Sequence, residues 1–206
     1  MHVITKYFPH LTENQQNQFA VMLRLYPEWN DKINVISRKD IDNLETNHIL
    51  HSLSIGKFIS FTQGTRVLDL GSGGGFPGIP LAVLFPEVHF HLVDRIGKKL
   101  RVAQDVVTHA AIKNVSIQHG DIKEVKGKFD FIVSRAVMPL EQMVPLVRRL
   151  VTKECHNSMP NGLICLKGGD LDNELSQFKS RVLIDDISYY FDEEYFKTKR
   201  IVYLPL

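Results

Sequence analysis

At 206 residues the chain has room for one full-sized domain and a small appendage. Its 44% hydrophobic and 23% charged residues exclude a disordered chain, and 25 basic against 23 acidic residues leave a net charge of +2, too even to demand or to exclude a nucleic-acid partner. Cys155 and Cys165 are too few for a disulfide framework or a four-ligand zinc site, so the expectation is a reduced, cytoplasmic setting. Residues 1–11 carry no apolar run of signal-peptide type, and glycines and prolines interrupt the uncharged stretch 70–86, so no membrane span is expected.

In chain order, Phe19, Met22, Leu23, Tyr26 and Trp29 recur at helical spacing and predict a helix over residues 13–29 capped by Thr12. Leu44, Ile49, Leu53, Ile55, Phe58 and Ile59 predict a second helix over 41–61. Residues 1–63 read as a helical segment too small for its own core, packed on residues 64–206. There, short apolar runs alternate with helical patterns. Strands are expected at 67–70, 88–93, 115–117, 129–133 and 163–166. The intervening helices are expected at 77–84, 98–111 and 141–151, and a further one at 171–179. Two last strands, 182–190 and 200–204, have no helix between them and should form an antiparallel hairpin at the edge of a mostly parallel sheet. The alternation argues for a doubly wound α/β domain.

Between the first predicted strand and its helix stands DLGSGGGFPG, from Asp69 to Gly78. Gly73, Gly75 and Gly78 match the spacing of a dinucleotide loop. A diphosphate, however, seeks backbone N–H groups without a carboxylate nearby, and Asp69 lies two residues before the first glycine. S-adenosylmethionine carries an ammonium and a sulfonium instead of phosphates, and an acid at Asp69 beside Gly71 and Gly73 suits it. Asp94, ending the second strand, is placed for a ribose diol, and Asp121, after the third, for an adenine amino group, with Ile122 and Lys123 along the ring. A glycine turn without ligand and a turn aspartate at 121 are the plain alternatives.

These residues resemble the bacterial 16S rRNA guanine-N7 methyltransferases, once called glucose-inhibited division protein B. The likeness runs through WNDKIN at 29–34, HILHSL at 48–53, DLGSGGGFPGIPL at 69–81, LVD at 92–94 followed by Lys98 and Lys99, VSRA at 133–136 and LKG at 166–168. It implies a Rossmann-like class I S-adenosylmethionine-dependent methyltransferase, a seven-stranded sheet with an antiparallel edge hairpin, and an N-terminal helical extension. It further implies cofactor contacts at Gly71, Phe76, Ile122, Lys123 and Arg135, and a guanine N7 of the small-subunit 530-loop region as target. The chain departs from the family at Asn47 and His51, where many members carry Arg and Asp, and at Arg95, where a small Ser is common.

The residues after the fourth strand, Ser134, Arg135, Ala136 and Val137, are not the Asn/Asp-Pro-Pro-aromatic segment that serves exocyclic amines. Cys165 reads as a small buried hydrophobe, and Cys155 lacks a basic partner. Guanine N7 bears an in-plane lone pair and no proton, so no acid–base residue is assigned. Arg135 is expected to position cofactor or an RNA phosphate. Lys98, Lys99 and Arg101, with Lys123, Lys126 and Lys128 read as a cluster beside the cleft, are the candidate RNA contacts, joined by Lys167. His89 and His91 share a strand face and read as solvated; no metal is expected. The expected partner is 16S rRNA or a small-subunit precursor, met by a monomer. An NAD(P)-dependent oxidoreductase and a catalytically silent RNA-binding relative are the alternatives.

Overall fold

The computed structural model describes residues 2–135 and 137–206; Ala136, within the segment read at 133–137, lies outside them. A short helix α1, His2–Tyr7, precedes α2, Glu13–Asn30. Thr12 caps α2 reciprocally: its hydroxyl accepts from the Gln15 N–H at 3.3 Å and its own N–H donates to Gln15 Oε1 at 2.9 Å. Asn30 ends the helix by accepting from the N–H groups of Val35 and Ile36.

The helix expected over 41–61 is not one regular helix. It starts as a 3-10 turn, Ile41–Asn43, widens into a π-helical stretch, Leu44–Leu50, and becomes α-helical only in α3, His51–Phe58. π-helical turns gather at functional sites, and this one carries Asn47 and His48.

Seven strands follow: β1 Arg66–Leu70, β2 His89–Asp94, β3 Val115–His119, β4 Phe131–Arg135, β5 Gly162–Gly168, β6 Leu183–Asp186 and β7 Lys199–Pro205. The helices among them are α4 Gly78–Leu84, α5 Gly97–His109, α6 Leu140–Val147 and the single turn α7 Asp172–Leu175. Strand order is β3-β2-β1-β4-β5-β7-β6; the first five are parallel, and β7 runs antiparallel to both β5 and β6. The edge pair is therefore antiparallel as expected, but β6 is only four residues long, because the chain turns into a 3-10 segment at Ile187–Tyr189.

Alternation on β1 sets the two cores. Val67 joins α2, α3, α4 and α5 on one face, while Leu68 and Leu70 join α6 on the other. The first face takes in residues from Ile4 to Phe61 as well as β-sheet side chains, so the N-terminal helices share its core. Between β3 and β4 the crossover is a 3-10 turn, Ile122–Glu124, instead of a helix. Strand order reverses between β1 and β4, and their carboxyl ends open the crevice at which ligands of such sheets bind.

Candidate cofactor cleft and acceptor side

The glycine loop leaves β1 through Gly71, Gly73 and Gly75, all at positive φ (69°, 55° and 101°), backbone that side chains disfavour. Gly71 also lacks room: a Cβ there would stand 2.5 Å from Val137 Cγ2. The buried Tyr26 hydroxyl of α2 donates to the Gly74 carbonyl at 2.7 Å and ties the loop to the N-terminal helices.

The loop spends its N–H groups internally. Those of Gly71 and Ser72 donate to the Val93 carbonyl, those of Gly75 and Phe76 to the Ser72 carbonyl, and that of Gly73 to Asp94 Oδ2 at 2.8 Å. A diphosphate would have to displace a carboxylate to use the Gly73 N–H, which disfavours a dinucleotide on electrostatic grounds. Asp94 Oδ1 also accepts from the Ile96 N–H at 2.7 Å, fixing the carboxylate at the rim with lone pairs to spare for hydroxyls.

A cavity of about 640 Å³ opens beside Asp94, walled by Gly71, Asp121, Ile122, Lys123 and Val137 among others. Apolar walls with a few fixed carboxylates fit an adenosine whose ribose and amino group donate hydrogen bonds. Asp121 caps the 3-10 turn through the Lys123 N–H at 2.9 Å and lies 3.6 Å from Arg95 Nη1. Arg149, which with Arg148 reads from the sequence as a further candidate RNA contact, instead holds this turn: its guanidinium donates to the carbonyls of Ile122, Lys123 and Val125.

Asp69 corrects the sequence reading. It does not face the cleft: the residue is 0% exposed and turns with Val67 toward the helical face, where Oδ2 accepts from the Gly78 N–H of α4 at 2.7 Å. Burial raises its carboxyl to about 7, against the lowering effects of that hydrogen bond and of Arg135. The acids that line the cleft are thus Asp94 and Asp121. Asp69 Oδ1 is buried without a partner.

Arg135, at the end of β4, shares the helical face. Its Cζ lies 5.0 Å from the Phe76 ring centroid, and it lines a second cavity of about 410 Å³ with His48, His51, Lys167, Tyr195 and Lys199. Arg135 and Phe76 therefore meet each other on the opposite side of the sheet edge from the adenosine cavity. Tyr195 was not a sequence candidate; it comes from the 3-10 segment Glu194–Thr198, and its hydroxyl donates to the Asn47 carbonyl at 3.2 Å.

The cations divide. Lys98, Lys99 and Arg101 lie at the start of α5, with Lys99 next to Gly73. Lys123 is on the cleft rim. Lys126 and Lys128 are not beside the cleft, contrary to expectation. Without a crossover helix the chain runs straight back to the amino ends of the strands, where Lys126 lines a separate hollow with Arg66, His89 and His91 and Lys128 donates to the Arg149 carbonyl. Lys167 is not a free cation either: it is paired with Glu174 at 2.8 Å and donates to the Met138 carbonyl. Cys165 is buried, which pushes its thiol up to about 12, and Cys155 is exposed.

The fold recurs among methyltransferases. A SAM-dependent methyltransferase from Aquifex aeolicus superposes with TM-score 0.56 at 15% identity, over 82% of this chain and 98% of that one. The precorrin-6y C5,15-methyltransferase of Geobacter metallireducens superposes with 0.58 at 14%, over 84% and 93%. In sequence, the ribosomal RNA small subunit methyltransferase G of Phocaeicola vulgatus is 54% identical over 100% of this chain and 99% of its own. That of Bacteroides thetaiotaomicron is 56% identical over 98% of each. The family model of GidB, rRNA small subunit methyltransferase G, matches residues 14–201. These matches exclude the oxidoreductase alternative, and with the cleft they lead to one conclusion: the chain belongs to the GidB family of small-subunit ribosomal RNA methyltransferases and uses S-adenosylmethionine as its methyl donor.

Proposed function

We propose that the chain methylates N7 of a guanine in the 530-loop region of 16S rRNA, as a cytoplasmic monomer acting on 16S rRNA or on a small-subunit precursor. The observation that carries this reading is the full-length family likeness, joined to cavity walls that present no cysteine for covalent attack among the described residues. Asp69 has no surface in the cleft, and the Cys165 thiol is buried and held neutral. Such a site suits an acceptor nitrogen that already presents a lone pair.

The donor, once bound, supplies an activated methyl group with a neutral leaving group. The protein's part is placement: Asp94 takes the ribose, Asp121 with the Ile122–Lys123 backbone the adenine, and Gly71 with Phe76 the path toward Arg135. Holding acceptor and methyl in line can lower the barrier by about 7–11 kcal/mol at best. Residues 64–206 carry this machinery and residues 1–63 cover it through Tyr26 and the Asn47–His48 turn. Lys98, Lys99, Arg101 and Lys123 supply phosphate contacts without sequence choice. Incubation with methyl-labelled donor and unmethylated 16S rRNA tests the reading: label at a guanine is expected, and RNA without label refutes it.

A further inference from the structure

His48 and Arg135, which line the second cavity, belong to an ordered chain of side chains that runs back to Asp40 and Asn47. Asp40 Oδ2 lies 2.6 Å from His48 Nε2, and His48 Nδ1 lies 3.0 Å from Arg135 Nη2. The other Asp40 oxygen accepts from Asn47 Nδ2 at 2.6 Å, and Arg135 Nη1 donates to the Asn47 carbonyl at 3.3 Å. Arginine has donors only, so Nδ1 must be the lone-pair nitrogen of His48. Nε2 then carries the proton and donates to Asp40. Burial and the neighbouring Arg135 charge lower His48 to about 4, so the ring is neutral at neutral pH and this tautomer persists. The two bonds use two of the five guanidinium N–H groups and fix the plane of the fork above Phe76.

An oriented guanidinium facing a cavity suits a carboxylate. Lys199, whose Nζ lies 4.6 Å from the Tyr195 ring centroid, adds a second positive charge to the same cavity, and the neutral His48 and His51 add none. The donor has one carboxylate, at its amino-acid end, and the glycine loop leads from the adenosine cavity toward Phe76 and Arg135.

We infer that Asp40 and His48 are positioning residues that hold Arg135 to receive the amino-acid carboxylate of S-adenosylmethionine. The inference rests on the donor assignment alone and not on the RNA target. Asn47 belongs to the device: where many family members have arginine, its amide engages Asp40 and its carbonyl engages Arg135.

Calorimetric titration with two compounds provides the test. S-adenosylhomocysteine has the amino-acid end; 5′-methylthioadenosine keeps the adenosine and sulfur but lacks that end. His48→Leu should weaken S-adenosylhomocysteine about tenfold, the worth of one charge-assisted hydrogen bond, and leave methylthioadenosine within about twofold. His48→Asn, whose oxygen can replace the Nδ1 acceptor, should recover most of the loss, and His48→Gln, which replaces the Nε2 side, should recover less. Equal loss for both compounds would mean a collapsed cleft and would overturn the inference, as would unchanged binding of both. Should His48→Leu fail to fold, the Asn and Gln variants decide, and Asn no better than Gln overturns it. Wild-type protein that binds neither compound would refute the donor assignment and the inference with it.

Discussion

The buried carboxyl of Asp69 should make stability fall as pH rises. Its ordinary value of 3.8 in the unfolded chain is raised to about 7 in the fold, mainly by burial. Below 3.8 the group is protonated in both states and its perturbation has no effect. Between 3.8 and about 7 the unfolded chain ionises while the folded chain keeps its proton. Stability then drops by about 1.4 kcal/mol per pH unit and levels off above the folded value. From pH 5 to pH 8 the loss is about 3 kcal/mol from this group. Asp69→Asn keeps an oxygen for the Gly78 N–H and cannot ionise. Its stability relative to wild type should therefore grow by about 3 kcal/mol over that interval, equivalent to about 6–12 °C in Tm for a domain of this size. Urea unfolding at several pH values, followed by the fluorescence of the single tryptophan, Trp29, measures the difference. A difference that stays constant between pH 5 and pH 8, or is largest at pH 5, would refute the assignment of Asp69 as a carboxyl buried at high cost.

Three further outcomes follow from the geometry. Gly71→Ala must place a Cβ at positive φ and 2.5 Å from Val137 Cγ2, so S-adenosylhomocysteine affinity in calorimetry should fall at least tenfold, at about 1–2 kcal/mol for the backbone strain before the clash is counted. Lys167→Met leaves Glu174 with the Leu140 N–H but no cation and should destabilise the fold by about 2 kcal/mol in urea unfolding, without changing the salt dependence of RNA binding. Replacing Lys98, Lys99 and Arg101 together by alanine should lower the slope of log affinity against log salt by about 2–3, whereas Lys126→Ala with Lys128→Ala should leave it unchanged in filter binding.

Local signals were legible where one stretch of chain holds all the partners. The strand, glycine loop and helix from Arg66 to Leu84 announce themselves by apolar content, glycine spacing and a proline-stopped end. The Thr12 cap of α2 is likewise readable from four residues. The direction of Asp69 was also available: with period two it must share a face with Val67, not with Leu68 and Leu70. Other features depend on distant partners. The π-helical turn at Leu44–Leu50 bends a regular apolar pattern so that His48 meets Arg135, 87 positions away, and nothing in the pattern marks it. Tyr195 reaches Asn47 across 148 positions. The reach of Lys126 and Lys128 failed because charge clusters in sequence do not show which end of a strand they flank, and here the β3–β4 crossover has no helix to keep them at the cleft.

Methyl transfer to RNA is the most direct measurement of the whole account. Purified protein, methyl-labelled S-adenosylmethionine and unmethylated 16S rRNA are combined, and the product is reduced with borohydride and cleaved with aniline, which breaks the chain at N7-methylguanosine. The account predicts one aniline-sensitive guanine in the 530-loop region, dependent on protein and donor. Label found on an exocyclic amine or a pyrimidine carbon, or no transfer to RNA at all, would contradict it.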